Sequence, residues 1–376
     1  MGTHRFFATT FKGLEEALAG EIAGLGGEEI SAGTGSVAFS GNMELCYRSN
    51  LWLRTANRVV LLLAEFPAPT PAALYEGVRS IPWPDLFSPD RTIAVDATVR
   101  DSGITHSHFA AQKTKDALAD RFRETAGRRP DVDVKSPEVR IVVRIVRDEC
   151  AVSLDTSGES LNRRGYRSNP SEASLKETLA AGLLLLAGWQ GDEPLIDPAC
   201  GAGTIPIEAA LLAGNIAPGS FGRSFGFQRL HGFDRKRWEA LLTEAREAAR
   251  RPPPVRIEGS DIAPAVVAGA MKNAKAAKVL ERVLFNARAI RNLDPGAGPG
   301  TILCNPPYGV RLPAGKEAEG FYREMGEALK KRCRGWTAYL LSGNAAVTRF
   351  LGLKASRKFP VMNGPIDCRL LKYELY

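Results

Sequence analysis

Histidine is scarce in this sequence, with four residues in 376, and none of them stands in a metal-ligand spacing. The six cysteines (Cys46, Cys150, Cys200, Cys304, Cys333 and Cys368) are scattered, without a Cys-x-x-Cys pair. Neither a metal site nor a disulfide framework is therefore expected, and the thiols read as reduced, in a cytoplasmic protein. Long apolar runs are missing too. The longest, Leu179 to Trp189, is too short to span a bilayer, so no membrane role is expected. Lys12, Glu15 and Glu16 interrupt the first apolar residues, which leaves no signal peptide to read. There is no internal repeat and no low-complexity tract. A dinucleotide-binding G-x-G-x-x-G loop is also lacking, because after Gly201 and Gly203 the third glycine position is Pro206. No Lys-Ser/Thr follows those glycines, so a P-loop is excluded.

What is present is a chain long enough for two or three domains, 44% hydrophobic and 24% charged, as soluble globular proteins are. The net charge of +8 is unevenly spread. Residues 1–168 hold 21 Lys/Arg against 22 Asp/Glu, and residues 169–376 hold 29 against 20. The whole basic excess lies in the C-terminal half, which favours polyanionic partners without identifying them.

In chain order, His4 to Thr10 reads as a strand and Gly13 to Leu25 as a helix stopped by Gly26-Gly27. Val37 to Ser40 reads as a second strand, and Glu44 to Leu63 as a helix running into a third. Pro67 to Pro71 and Ile81 to Pro84 read as turns. Then come a strand (Thr92 to Val99), a polar loop, a helix (Phe109 to Ala126), and strands at Asp131 to Val134, Arg140 to Arg147 and Cys150 to Asp155. Residues 168–173 (SNPSEA) form a polar linker ahead of an apolar helix, Leu175 to Leu186. From Leu195 onward strands and helices alternate, the mark of a parallel sheet with crossover helices.

Three strand ends in that alternating half carry chemistry. Leu195 to Thr204 (LIDPACGAGT) is a strand, a Gly-rich turn and a helix start. Gly201 and Gly203 permit a tight turn close to a ligand, and the helix opening at Thr204 offers unpaired N–H groups. Asp197 would repel a pyrophosphate but suits an ammonium group. Asp261, ending the strand of Arg256 to Ile262, can accept from both hydroxyls of a ribose. Asn305-Pro306-Pro307-Tyr308 follows the apolar Thr301 to Cys304, and two prolines cannot continue a sheet ladder. An amide, stiff carbonyls and an aromatic ring at a strand's carboxyl end suit a planar base with an exocyclic amine.

Two resemblances follow from these stretches. TVRDSGITHSHFAAQKTKDALADRF and SLDTSGESLNRRGYR make roughly residues 45–160 similar to THUMP domains, RNA-binding modules found ahead of RNA-modifying enzymes. DPACGAGTIPIEAALLAGNIAPG, EGSDI, CNPPYGVRL and VMNGPIDCRL make nearly the whole chain resemble the RlmL-type 23S ribosomal-RNA guanine-N2 methyltransferases. That protein is fused in some bacteria to a second methyltransferase domain, and residues 1–376 carry no counterpart of it.

The resemblance implies an α/β fold, a Rossmann-like class I methyltransferase domain with a mostly parallel seven-stranded sheet, behind an α+β N-terminal region. The expected divisions are a ferredoxin-like subdomain (1–60), a THUMP domain (61–160), a linker (161–174) and the methyltransferase domain (175–376). S-adenosyl-L-methionine is the implied cofactor, with no metal. Asp197, Ala199, Cys200, Gly201, Gly203, Thr204, Asp261 and Ile262 are its expected contacts. Ala289 stands where the family places an acid for the adenine amine, which leaves that contact to backbone, Asn286 or Asp294. Asn305, Pro306, Pro307 and Tyr308 are the expected catalytic group, accepting from a guanine N2 amine and stacking on its ring. Lys113, Lys115, Arg163, Arg164, Arg167 and Arg311 are candidates for RNA phosphates, and Asn363 and Asp367 for the base pocket. The expected partner is 23S rRNA or a pre-ribosomal particle, with transfer RNA second. Two rivals remain: methylation of another amino nitrogen (adenine N6, a glutamine amide), and an RNA-binding assembly protein with weak or no catalysis.

Overall fold

The computed structural model describes residues 2–167, 175–250, 255–296, 298–307 and 315–376, which form two seven-stranded sheets flanked by helices. The first sheet is built from β1 (His4–Thr9), β2 (Glu28–Gly33), β3 (Ser36–Gly41), β4 (Arg58–Pro67), β5 (Ile93–Arg100), β6 (Val139–Val146) and β7 (Glu149–Asp155). Its spatial order is β2-β3-β1-β4-β7-β6-β5. Five helices, α1 (Glu15–Gly24), α2 (Met43–Trp52), α3 (Pro71–Arg79), α4 (Trp83–Leu86) and α5 (Ser107–Ala126), accompany it. The single unbroken strand β4 crosses the division expected at residue 60 and pairs with β1 on one side and β7 on the other, so both N-terminal subdomains share one sheet.

Alternation decides which face is buried. In β6 (VRIVVRIV), Val139, Ile141, Val143 and Ile145 sink into a core with Ala110, Ala117, Leu118 and Phe122 of α5. The intervening Arg140 and Arg144 turn to the opposite face. Three expectations need correction here. β2 escaped notice because its six residues (EEISAG) are nearly all exposed and show no apolar alternation. The segment after the turn at Pro67 to Pro71, to which no element was assigned, is helical because Thr70 Oγ1 accepts from Ala73 N at 3.2 Å and Pro71 occupies the first turn. Asp131 to Val134 forms no strand, only an isolated bridge between Val132 and Ile93. The Asp133 carboxylate accepts from the backbone of Lys135 and Ser136 and bends the chain away, while Val132 and Val134 are exposed with nothing to bury against.

The second sheet comprises β8 (Leu195–Asp197), β9 (Ile257–Asp261), β10 (Leu284–Ala287), β11 (Thr301–Cys304), β12 (Thr337–Ser342), β13 (Arg357–Asn363) and β14 (Ile366–Glu374). Its order is β10-β9-β8-β11-β12-β14-β13, parallel from β10 to β12, with β14 antiparallel to both neighbours. Strands β11 and β12 are buried on both faces, as parallel strands covered by helices must be. The helices are α6 (Glu177–Ala187), α7 (Thr204–Ala213), α8 (Arg235–Glu247), α9 (Pro264–Ala276), α10 (Lys316–Arg332) and α11 (Ala345–Thr348). The order reverses direction between β8 and β11, and the carboxyl ends of those strands make the crevice where ligands bind in open sheets.

The two halves interlock. Phe225, Phe227 and Trp238, from the stretch between α7 and the end of α8, enter one core with Phe6, Phe39, Tyr47 and Leu51. The rings of Phe225 and Phe227 stack at 5.3 Å, and Trp238 meets both edge-on. Around this plug Arg237 donates to both Glu44 oxygens (2.7 and 2.8 Å) and to Glu244 (2.8 Å), while Arg48 bridges the same two acids. On the other flank Met362 N of β13 donates to Lys12 O, and Gly182 of α6 leaves room for the Leu14 side chain.

Candidate functional site

The crevice is assembled from short strands whose last residues are polar. β8 ends at Asp197, which is 2% exposed and accepts from Ala199 N at 3.2 Å. Burial pushes its carboxyl up to about 7, with the Asp261 charge adding to the rise while the Ala199 N–H and the Cys304 thiol oppose it. The turn that follows is pinned from three sides. Cys200 N donates to Ser260 O, Gly201 N to the Asp261 carboxylate, and the Asn273 amide to Ala202 O. Gly201 and Gly203 both have positive φ (53° and 76°). A Cβ on Gly203 would meet Ala270 and the Phe285 ring, whereas one on Gly201 would point into open space. That open space lies in the crevice, so the turn presents bare backbone to a ligand.

Asp261 ends β9, one strand over, and its second oxygen accepts from Ala263 N at 3.1 Å. Ile262 beside it is 71% exposed, an apolar face set next to an acid at the sheet edge. Ala289 precedes a short 3-10 turn after β10 and is half-buried. The three alternatives for an adenine contact stay in place. Asn286 donates its amide to Glu258, which leaves its carbonyl oxygen as the acceptor, and one oxygen of the Asp294 carboxylate accepts from Gly296 N. The backbone of 287–289 is held by the bond from Arg288 N to Asp261 O.

On the far side of the switch point, β11 delivers Asn305, Pro306 and Pro307. A small cavity of about 30 Å³ is lined by Asp197, Ala199, Cys200, Gly201, Ala202, Thr204 and Asn305, with Leu175 and Ile205. The expected cofactor turn and the expected catalytic amide thus share one pocket, which has room for only the end of an extended ligand. Asn305 Oδ1 is buried and makes no hydrogen bond among the described residues. A buried amide oxygen without a partner is costly unless a ligand satisfies it. Pro307 O is approached by the Tyr322 hydroxyl of α10 at 3.5 Å, which ties the loop to that helix. Tyr308 and Arg311 lie outside the described residues.

Two of the expected phosphate contacts are structural. Arg164 is 2% exposed; it donates to the Leu161 and Arg54 carbonyls and lies 3.6 Å from Glu208. Arg167 pairs with Glu177 at 3.2 Å and donates to Leu175 O and to Thr204 Oγ1. Both are enclosed with buried acids, so neither can reach an RNA backbone. They correct the expectation, and Arg167 becomes a brace on the first turn of α7, beside the glycine turn. Arg163 stays exposed and pairs with Glu159. Lys113 places its ammonium 4.7 Å from the centre of the Tyr75 ring, and Lys115 pairs with Asp116, both on α5. That helix covers the buried face of the first sheet.

The opposite face of that sheet is where basic groups collect. Arg5, Arg100 and Arg144 line a groove of about 410 Å³ with Phe7, and Arg58, Arg140, Arg163, Arg223 and Arg229 line another of about 690 Å³. The period-two placement of Arg140 and Arg144 in β6 was the signal that would have found this face in the sequence. Asn363 and Asp367 flank the turn of the β13–β14 hairpin, at the same edge as Asp197 and Asn305. Among the described residues no cluster of three or more His, Cys, Asp and Glu could hold a metal ion, and no helix is long and apolar enough to cross a membrane.

Comparison with known proteins agrees with this geometry. Residues 164–372 match the RMKL-like methyltransferase domain, 70–155 the THUMP domain, and 5–60 the RlmL ferredoxin-like domain. A Synechocystis protein, slr0064, named by inference as an RNA methyltransferase, is 41% identical over 100% of this chain and 97% of its own. The ribosomal RNA large subunit methyltransferase K/L of Methylococcus capsulatus is 44% identical over 99% of this chain but 51% of its own length. The chain therefore spans about half of the K/L relatives it matches. A crystal structure of SMU.472, titled by inference a methyltransferase and complexed with SAH, superposes with a TM-score of 0.90 at 31% identity, covering 100% of this chain and 99% of that one.

Proposed function

Because the chain belongs to the RMKL-like methyltransferase family, joined to THUMP and RlmL ferredoxin-like domains, we propose that it methylates the exocyclic N2 of a guanine in 23S rRNA. The observation that carries this reading is the buried Asn305 Oδ1, without a hydrogen-bond partner among the described residues, in the pocket of Asp197 and the glycine turn. An exocyclic amine is a poor nucleophile because its lone pair is delocalised into the ring. An amide oxygen accepting one N–H, with a proline carbonyl accepting the other, holds the nitrogen so that its lone pair is free to react. S-adenosylmethionine, when bound, supplies an electrophilic methyl group.

The remaining work falls to the chain. Asp197 faces the ammonium of the methionine part, Gly201 and Gly203 give it backbone contact, and Asp261 takes the ribose hydroxyls. Asn305 and the prolines orient the amine, and most of the acceleration is positional. No strong base is needed at N2, since that proton turns acidic once the new N–C bond has formed, and it leaves to solvent. The arginine-lined face of the first sheet suits the RNA backbone. All six cysteines are buried and outside any disulfide among the described residues, which suits a reducing, cytoplasmic setting.

The test is methyl transfer from labelled S-adenosylmethionine to unmodified 23S rRNA, 16S rRNA and transfer RNA, followed by nucleoside analysis. Label is expected as N2-methylguanosine in 23S rRNA. Label in transfer RNA would move the substrate and keep the chemistry. Label on adenine, or none in any RNA, would overturn the proposal.

A further inference from the structure

We infer that a second cavity, on the outer side of the β13–β14 hairpin, holds a nucleotide flanking the methylated one, in single-stranded RNA. This inference rests on the RNA substrate proposed above. The cavity has a volume of about 520 Å³, within the range of small-ligand sites. Lys358 of β13 and Arg369 of β14 rise from its floor, and Arg349 and Lys354 close it from the segment after α11. Leu371 and Tyr373 supply an apolar base beneath them. A planar base against an apolar floor with its phosphate on a cationic rim is the chemistry that this combination fits.

Three observations support a ligand over a merely solvated surface. Arg369 and Arg349 are in no ion pair among the described residues, Arg349 lying only over the Phe350 ring at 4.9 Å, whereas arginines elsewhere on the chain such as Arg58, Arg140 and Arg288 are paired with acids. The hairpin turn also lies on the edge that carries Asp197 and Asn305, the edge of the proposed transfer. Cys304 pairs with Leu340, so Ser342 lies level with Pro306, and Ser342 pairs with Arg369. Two strand spacings put the Arg369 backbone about 10 Å across the sheet from the prolines, at their level. Ser342, Asn344 and Asp367 line the mouth facing that edge. Lysines are also used to blunt an exposed edge strand, but Arg349 and Lys354 belong to no strand.

The experiment is filter binding of an unmodified 23S rRNA transcript over a salt series, with methyl transfer measured in parallel. Three proteins are compared: wild type, Lys358→Glu/Arg369→Glu, and a control with the same charge change on α9, Lys272→Glu/Lys275→Glu. The hairpin variant is expected to lose about tenfold or more in affinity, and its salt slope to flatten by about 1.4, the value for two lost single-strand contacts. Its stabilisation by S-adenosylmethionine should equal that of wild type, which also reports that it folds. Arg349→Ala/Lys354→Ala should repeat the effect from the opposite wall. Hairpin and control variants that weaken alike would overturn the inference, because net charge alone would then explain the loss. Wild type that binds the transcript but transfers no methyl would sink the proposed reaction while the binding comparison still decides the cavity. Wild type that binds no RNA would remove both.

Discussion

Asn305 and Asp197 face one small pocket from opposite sides of the switch point, and their roles separate experimentally. Asn305→Ala removes the amine acceptor without touching the glycine turn. Turnover is expected to fall about 100-fold or more, with the cofactor dissociation constant nearly unchanged by calorimetry; retained turnover would end the proposed role. Asp197 predicts a pH dependence. Its carboxyl, raised to about 7 by burial, is largely protonated at pH 6 and largely ionised at pH 8. Only the ionised form attracts an ammonium, so cofactor affinity should rise by about fivefold from pH 6 to pH 7 and stop rising near pH 8, where an α-ammonium loses its own proton. Asp197→Asn should bind weakly with a flat profile, and a flat profile in wild type would take Asp197 out of the contact. These residues were legible in the sequence because each ends an apolar strand with a side chain that a sheet core does not tolerate. Arg164 and Arg167 were not. A run of arginines reads as solvated surface, and their partners Glu208 and Glu177 stand on helices that the sequence places elsewhere.

At the level of elements, the alternating second half was readable because strand ends, glycine turns and apolar helices occur there in a regular order. β2 and α3 were lost for opposite reasons, the first having no apolar pattern and the second hiding a capped helix start behind prolines. The linkage between elements was not readable at all. Arg167, beyond the first sheet, braces α6 through Glu177 and α7 through Thr204 Oγ1, next to the glycine turn. Arg167→Ala would leave Glu177 buried without its cation, a loss of about 3–5 kcal/mol. Burial already raises the Glu177 carboxyl, and Arg167 is the first of the groups opposing that rise. Denaturant unfolding should show the lower stability, and calorimetry a weaker cofactor affinity. Full cofactor affinity in a destabilised variant would make Arg167 a fold brace with no bearing on the site.

For the whole molecule, the separation between the arginine-lined face of the first sheet and the transfer edge of the second is set by the aromatic plug between them. Trp238, 5% exposed, carries the second half into the core of the first and is flanked by the Arg237–Glu44 contact. Glu44 is held down to about 2, first by its bond from Arg237. Its contribution is therefore complete above the ordinary glutamate range and is lost as pH falls from about 4.5 toward 2. Trp238→Ala would cost about 3–5 kcal/mol at the plug while leaving the cores under β5 to β7 and under β11 and β12 intact. Wild type should unfold by calorimetry in one transition. The variant should show two, and S-adenosylmethionine should raise only the one belonging to the second sheet, since a ligand stabilises the unit that binds it. Methyl transfer would then lose RNA affinity more than cofactor affinity, because the face proposed for RNA and the edge proposed for transfer would no longer be held in one frame. A single transition in the variant, shifted as a whole by the cofactor, would show that the flank where Lys12 meets Met362 suffices to join the halves.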